Sequence, residues 1–227
     1  MVTIDNLRIG TVPFANVMPL DFYLPEILPE AEFIYGVPSK LSQLLAEGKV
    51  DVALISSVQL LENPEYGYIP GIGICSNGPV ASVCLFAKEL PSLLHSVALD
   101  NNSLTSNALL KILFEEYWEH RPKYVNYTPP VEKGLEIADG ALSIGDNTFL
   151  MKDKTYHATD LGETWQDHTQ LPFVYAPWVT RKGIEPEDVA EPFIEAKKMG
   201  MDHVKQLAMV CAQQRDLPVD FVYRYFT

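Results

Sequence analysis

The sequence predicts an α/β fold of two lobes, in which mixed sheets are flanked by helices. Short apolar runs alternate with segments of helical period, the pattern of strands joined by crossover helices. The 227 residues, 47% of them hydrophobic, can build two lobes of about 100 residues each. After Ile69 the sequence becomes rich in Gly, Pro and Ser, and a strongly apolar segment that predicts a strand begins at Phe173. We therefore expect a discontinuous first lobe (1–86 and 173–227), a second lobe (87–172) and a ligand cleft between them.

The first lobe is predicted from both ends of the chain. Near the N-terminus, strands are predicted at 7–14, 31–35 and 50–55 and a helix at 38–48. Pro38 is favourable in the first turn of that helix, and Gly48 ends it. Beyond Pro186 the pattern is helical, with Pro218 opening the last segment.

The second lobe is predicted to continue the same alternation. Strands are expected at 96–100, 123–127 and 140–144, and the longest helix at 103–118. Ser103 is a candidate cap for that helix. The Gly-rich segment 69–87 is predicted to be extended and to cross between the lobes.

Charge and motif content exclude several classes of function. The formal net charge of -13 repels phosphate backbones and anionic lipid, so neither nucleic acid nor a membrane surface is an expected partner. The five histidines fit no metal-binding spacing, and the sequence contains no P-loop, GxGxxG or GxSxG motif. We therefore expect no metal and no other cofactor.

The expected location is the cytoplasm. The first residues lack a basic region followed by an apolar run, and no apolar run approaches the roughly 20 residues that cross a bilayer. Three cysteines, Cys75, Cys84 and Cys211, are embedded in apolar runs. Their odd number and wide spacing favour buried thiols over a disulfide framework.

Small polar residues follow the predicted strands, where ligands of α/β proteins bind. These residues are Asn16, Ser56, Ser57, Thr105, Ser106 and Asp146, with Ser76, Gly78 and Ser82 in the Gly-rich segment. Each also has a structural alternative, since a serine can cap a helix, an asparagine can form a turn and a glycine can act as a hinge. The arginines are scattered, so hydroxyls and backbone N–H groups are the expected ligands of a small carboxylate.

The order of several motifs resembles one known family. The matching stretches are RIGTVPFANVMPL, EGKVDVALISS, GIGICSNGPVASVCLF, VALDNNSLTSNALLKILF, ADGALSIGDNTF and DLGETWQDHTQLPFVYAPW. Together they resemble the chorismate dehydratase family of the futalosine route to menaquinone. The resemblance implies a two-lobed, periplasmic-binding-protein-like (type II) fold. It also implies a carbon–oxygen lyase, specifically a hydro-lyase, that removes water from chorismate without a cofactor.

The resemblance also suggests roles for the polar residues. Asn16 matches the asparagine expected to face the substrate ring, and is the catalytic candidate. The other polar residues match substrate-binding positions, with Asp146 expected to fix its loop. Met18 and Gln170 depart from the family, standing where Arg and Gly are usual, and Ser56 stands where Pro is common.

Two alternatives remain open at this point. One is the sibling dihydroxynaphthoate synthase of the same pathway, which is expected to rely on a histidine near the cleft. No histidine precedes His95, which speaks against it. The other is a non-catalytic protein that binds a small carboxylate. The sequence also leaves open a homodimer, with the helical tail beyond Pro186 as a candidate surface.

Overall fold

The computed structural model describes residues 6–151 and 155–227. The chain divides into two compact units, one reaching to Ile74 and resuming at Ala176–Thr227, the other formed by Cys75–Tyr175. The first boundary therefore falls before residue 75, whereas the sequence prediction placed it after residue 86. Strand Val83–Ala87 explains the difference, because it pairs with two strands of the second unit. Residues 1–5 and 152–154 of the predicted lobes lie outside the described part.

Ten strands are described, in two mixed sheets of five strands each. In chain order they are β1 (Arg8–Thr11), β2 (Glu32–Tyr35), β3 (Val52–Leu54), β4 (Gly67–Ser76), β5 (Val83–Ala87), β6 (Ser96–Asp100), β7 (Lys123–Tyr127), β8 (Gly140–Ile144), β9 (His157–Asp160) and β10 (Phe173–Thr180). The predicted mixed α/β class is confirmed, and β6, β7 and β8 have the predicted bounds. The boundaries between the two units fall within β4 and β10.

The helices flank these sheets. In chain order they are α1 (Met18–Asp21), α2 (Leu24–Ile27), α3 (Pro38–Ala46), α4 (Val58–Glu62), α5 (Leu104–Ile112), α6 (Val131–Leu135), α7 (Leu161–Thr169), α8 (Pro186–Asp202), α9 (Val204–Arg215) and α10 (Val219–Phe226). A π-helical turn, Leu113–Tyr117, extends α5, so the predicted long helix is confirmed with a wider last turn. The pair β9 and α7 has no counterpart in the sequence prediction.

The first sheet has the strand order β2-β1-β3-β10-β4. Strand β1 runs parallel to β2 and β3, and β10 runs antiparallel to β3. The carboxyl ends of the neighbouring strands β1 and β3 therefore reach the same edge of the sheet. Strand β10 passes this edge at Pro177, whose carbonyl accepts a hydrogen bond from the Ile55 N–H at 3.3 Å.

The second sheet has the order β7-β6-β8-β5-β9. Strand β6 runs parallel to β7 and β8, while β5 runs antiparallel to both β8 and β9. One edge therefore collects the carboxyl ends of β6, β8 and β9 together with the start of β5.

The core of the first unit is centred on two large rings. Trp178 of β10 and Phe193 of α8 are fully buried, with ring centroids 4.9 Å apart. Burial of such side chains stabilises a fold by roughly 1.5–3 kcal/mol each, so this pair holds α8 against the sheet. A second cluster joins Ala15, which follows β1, to Cys211 of α9 and Val222 of α10.

A cluster of ion pairs lies at the opposite edge of the first sheet, where β1 and β3 begin. The carboxylate of Asp51, just before β3, accepts hydrogen bonds from Arg8 Nε (2.9 Å), Arg8 Nη2 (2.8 Å) and Arg181 Nε (2.9 Å). It also accepts one from the Arg8 backbone N–H at 3.0 Å. The cluster ties the starts of β1 and β3 to the residue that follows β10.

The cysteine prediction is correct for two thiols and wrong for the third. Cys84 and Cys211 are buried, and burial raises the pKa of the Cys84 thiol. Cys75 is exposed. It lies near the end of β4, where alternate side chains point to opposite faces, so neighbouring apolar residues did not imply burial. In the described ranges no helix is long and apolar enough to cross a membrane.

Candidate functional site

Three predicted site residues lie at one edge of the first sheet. Asn16 lies in a 3-10 turn, Ala15–Val17, that follows β1, and Ser56 and Ser57 directly follow β3. Because β1 and β3 are adjacent and parallel, the first unit brings these three residues to a common edge. Ser56 is buried.

Asn16 carries an unsatisfied polar atom. Its Oδ1 is buried and has no hydrogen-bond partner within the described structure. A buried acceptor without a donor costs about 1–3 kcal/mol, and such exceptions to normal pairing call for an explanation. A hydroxyl donated by a bound ligand would satisfy this oxygen.

The side chain at the N-cap position after β3 does not cap helix α4. Ser57 occupies the N-cap position of α4, but its side chain makes no cap hydrogen bond. The first turn is closed by the backbone instead, with the carbonyls of Ser56 and Ser57 accepting from Gln59 N and Leu60 N.

Asp21 is a further polar residue near this edge that the sequence analysis missed. Its carboxylate accepts a hydrogen bond from Thr11 Oγ1 at 2.7 Å, and Thr11 is the fully buried last residue of β1. Burial raises the pKa of Asp21 to about 7, against the lowering effect of the Thr11 hydrogen bond. Tyr35 of β2 is a neighbouring titratable group, and its pKa is raised by burial and by the charge of Asp21.

The second unit brings together another set of predicted residues at one edge of its sheet. Thr105 and Ser106 lie in the first turn of α5 after β6, and Asp146 follows β8. Ser82 directly precedes β5, and its carbonyl accepts from Gly145 N at 2.8 Å. The hydroxyl-bearing side chains of this set are all buried.

Ser103 has the structural role that the sequence assigned to it. Its side chain accepts a hydrogen bond from the Ser106 backbone N–H at 3.2 Å, which caps α5. The cap places Thr105 and Ser106 directly beyond the end of β6.

Asp160, which was not among the predicted site residues, holds the Gly-rich segment in place through hydrogen bonds. The Asp160 carboxylate accepts hydrogen bonds from Val80 N (3.0 Å) and Ala81 N (2.6 Å), and also from Gly162 N (2.9 Å) and Glu163 N (3.1 Å) in the first turn of α7. One side chain thus caps α7 and anchors the loop before Ser82. The signal was present in the sequence as D-L-G-E, an acidic cap followed three residues later by Glu.

Ser76 and Gly78 lie against the start of α7. Gly78 has φ of 116°, which favours glycine. A Cβ on Gly162 would lie 2.6 Å from the Gly78 carbonyl and 2.7 Å from Ser76 Oγ, so α7 approaches this segment closely because residue 162 has no side chain. Ser76 Oγ also lies 3.4 Å from the hydroxyl of Tyr175, whose pKa is raised by burial.

Asp100 is a second buried carboxyl at this edge that was not predicted. It is 1% exposed and ends β6. Its Oδ1 accepts from Asn102 N at 2.8 Å, while Oδ2 has no partner among the described residues. Burial raises the pKa of Asp100 to about 6, which the Asn102 hydrogen bond partly opposes.

The edge of the first sheet that follows β1 and β3 and the edge of the second sheet that follows β6 and β8 contain similar functional groups. Each combines buried hydroxyl or amide groups with a carboxyl whose pKa burial moves towards neutrality. Such a set can orient a small polar ligand through hydrogen bonds and can hold or release a proton near pH 7. No group of three or more His, Cys, Asp or Glu side chains in the described ranges is arranged to hold a metal ion.

Comparison with known proteins identifies close relatives. The chain is 33% identical over 222 residues to the chorismate dehydratase of Thermus thermophilus, an alignment that covers 88% of this chain and 79% of that protein. It is also 33% identical over 175 residues to the chorismate dehydratase of Campylobacter jejuni, covering 74% of this chain and 64% of that one.

The solved structures support the predicted fold type. The periplasmic aliphatic sulphonate binding protein of Escherichia coli matches with a TM-score of 0.65 at 18% identity, covering 98% of this chain and 78% of that one. The periplasmic-binding-protein-like fold is therefore confirmed. A family model described as menaquinone biosynthesis matches residues 7–227. The chain belongs to this menaquinone biosynthesis family.

Proposed function

We propose that this chain is a chorismate dehydratase, a hydro-lyase that removes water from chorismate in menaquinone biosynthesis. The observation that carries the proposal is the 33% identity with the Thermus thermophilus enzyme over 88% of the chain. The product is a benzoate that bears an enolpyruvyl ether at its meta position. A cytoplasmic location, which the sequence analysis expects, is part of the proposal.

The proposed reaction needs little covalent chemistry from the protein. The C–H bond of the ring carbon that bears the ether breaks, and its proton passes to a carboxylate of the substrate. The C–O bond to the ring hydroxyl then breaks, the hydroxyl leaves with a proton as water, and the ring becomes aromatic. What the protein supplies is orientation of the reacting groups and exclusion of water.

Asn16 is the proposed catalytic residue. Its buried, unpartnered Oδ1 would accept the hydrogen of the substrate hydroxyl and so hold the leaving group in one orientation. An amide suits this role because it has no charge to repel the two carboxylates of chorismate.

The remaining polar residues are proposed to bind substrate. The residues proposed to bind chorismate through hydroxyls and backbone N–H groups are Ser56, Ser57, Ser76, Gly78, Ser82, Thr105 and Ser106. Asp146 is proposed to fix the loop after β8. Neutral donors can hold carboxylates without a charged partner when several converge.

The test of the proposal is direct. Purified protein is incubated with chorismate, and the aromatic ether is followed by absorbance and mass. Turnover is expected in the absence of added metal or nucleotide. Saturable chorismate binding without product would instead favour the non-catalytic binding protein.

Two variants test the assigned residues. Asn16→Ala is expected to lower kcat by at least 100-fold, the scale of losing one well-placed hydrogen-bonding group in a reaction, while chorismate still binds. Ser82→Ala is expected mainly to raise KM, because it removes a binding hydroxyl. Wild-type turnover in Asn16→Ala would remove Asn16 from the mechanism.

A further inference from the structure

The loop that carries Asn16 is closed by a hydrogen bond between its two ends. Thr11 is the last residue of β1, and Asp21 is the last residue of α1. Their side chains meet at 2.7 Å, with the Thr11 hydroxyl donating to Asp21 Oδ2. The two residues are ten positions apart in the chain, and Asn16 lies midway along the loop between them.

Other contacts hold the loop against the C-terminal helices. Ala15 is buried in the cluster with α9 and α10, and Arg215 Nη2 donates to the Pro13 carbonyl at 3.2 Å. A Cβ on Gly200 would clash with the Pro19 carbonyl oxygen, so the backbones of α8 and α1 are in close contact. These contacts seat the loop on the helices, whereas the Thr11–Asp21 hydrogen bond fixes it relative to β1.

The carboxyl of Asp21 lowers the free energy of unfolding when it is charged. Burial of an ionisable group with one side-chain donor disfavours its charged form, and the raised pKa of Asp21 reflects that cost. An apolar residue at this position would pack without such a penalty. Groups that reduce stability are often found at functional sites, where they fix a geometry that the reaction requires.

From this geometry we propose that Thr11 and Asp21 are positioning residues, which hold the 12–20 loop so that the Asn16 amide faces the substrate hydroxyl. The inference rests on the proposed function. Neither side chain touches the substrate in this proposal, and both act through Asn16. Misplacement of a reacting group by about 1 Å can lower the rate by about 100-fold, so a small change in loop conformation is sufficient.

The substitutions are chosen to separate positioning from stability. Thr11→Val and Asp21→Ala each remove the hydrogen bond, whereas Thr11→Ser and Asp21→Asn each retain a donor or an acceptor. Thr180→Val is the matched control, since Thr180 is a fully buried threonine of the same sheet whose hydroxyl has no hydrogen-bond partner among the described residues. It pairs with Val52, at the edge of the sheet opposite Asn16.

In steady-state assays with chorismate, Thr11→Val and Asp21→Ala are expected to lower kcat by at least tenfold, with KM within about threefold of wild type. Thr11→Ser and Asp21→Asn should restore most of kcat, and Thr180→Val should leave it within about twofold. The double variant Thr11→Val/Asp21→Ala should be no slower than the worse single variant, because both remove the same hydrogen bond. Additive losses, or equal losses in Thr180→Val, would overturn the proposal.

A second measurement does not depend on turnover. Amide hydrogen exchange of residues 12–20 should become faster in Thr11→Val than in wild type, and remain unchanged in Thr180→Val. If wild-type protein failed to convert chorismate, faster exchange would still support the positioning of the loop, and only the proposed function would be lost. Unchanged exchange in Thr11→Val would overturn the inference whatever the activity.

Discussion

The buried ion cluster around Asp51 is expected to be a main source of stability in the first unit. Asp51 is 1% exposed, and its carboxylate accepts four hydrogen bonds from Arg8 and Arg181. Hydrogen bonds to charged groups contribute about 1.5–3 kcal/mol each when buried. The arginine side chains are 35% and 26% exposed, so water compensates for part of the loss. We therefore expect Asp51→Asn to lower the free energy of unfolding by about 2–3 kcal/mol at pH 7.

The pH dependence of this loss follows from the pKa of Asp51. Burial alone would raise that pKa, but the hydrogen bonds from Arg8 and Arg181 outweigh it and the pKa is lowered. The stabilisation is therefore present above the pKa of the unfolded state, about 4, and is lost as the pH falls through the lower folded value. The difference between wild type and Asp51→Asn should shrink accordingly in acid.

The assay is urea unfolding followed by intrinsic fluorescence, at pH 7 and at several values below 4. A loss of 2–3 kcal/mol corresponds to a shift of about 1 M in the urea midpoint. Asp202→Asn, at the exposed end of α8, is the control and should shift the midpoint by less than about 0.3 M. Equal midpoints for Asp51→Asn and wild type at pH 7 would refute the reasoning, as would a difference that persists unchanged in strong acid.

Three further substitutions test other parts of the structure. Because burial raises the pKa of Asp21 from 3.8 to about 7, stability should fall as pH rises from about 4 to 7. Asp21→Asn should flatten this fall by about 2–4 kcal/mol in urea titrations, and parallel pH curves would contradict it. Gln170→Gly should raise Tm by a few degrees, since Gln170 ends α7 with φ of 59°, a left-handed conformation that favours glycine; a lower Tm would count against this. Gly200→Ala should cost at least about 3 kcal/mol by calorimetry despite the better helix propensity of alanine, because its Cβ would meet the Pro19 carbonyl.

Local sequence patterns were sufficient for most of the secondary structure. β6, β7 and β8 were predicted at their observed bounds. β6 and β8 are short, largely apolar runs, and β7 contains Tyr124, Val125 and Tyr127, which favour strands. The capping role of Ser103 was also readable, since the side chain and its backbone partner are three residues apart. The pair β9 and α7 was missed because His157–Asp160 is short and largely polar, as an edge strand can be.

Some residues of the candidate site could be predicted from local sequence patterns, and others could not. Asn16, Ser56 and Thr105 could be proposed because they follow strands of an α/β sheet, where the sequence order alone indicates the edge. Asp160 could have been added from its capping signature. No local pattern pointed to Asp21, whose partner Thr11 is ten residues away.

The sequence by itself determined the fold class, the alternation of strands and helices, and the polar residues that follow each strand, because these depend on neighbours within a few positions. Only the tertiary structure decided which strands pair, and therefore that β5 belongs to the second unit. It also decided how far each carboxyl is removed from water and what it contacts: Asp51 and Asp100 are buried, and Asp21 is partly buried. Burial and electrostatic environment depend on segments far apart in the chain, and a pKa or a hydrogen bond exists only once those segments are packed.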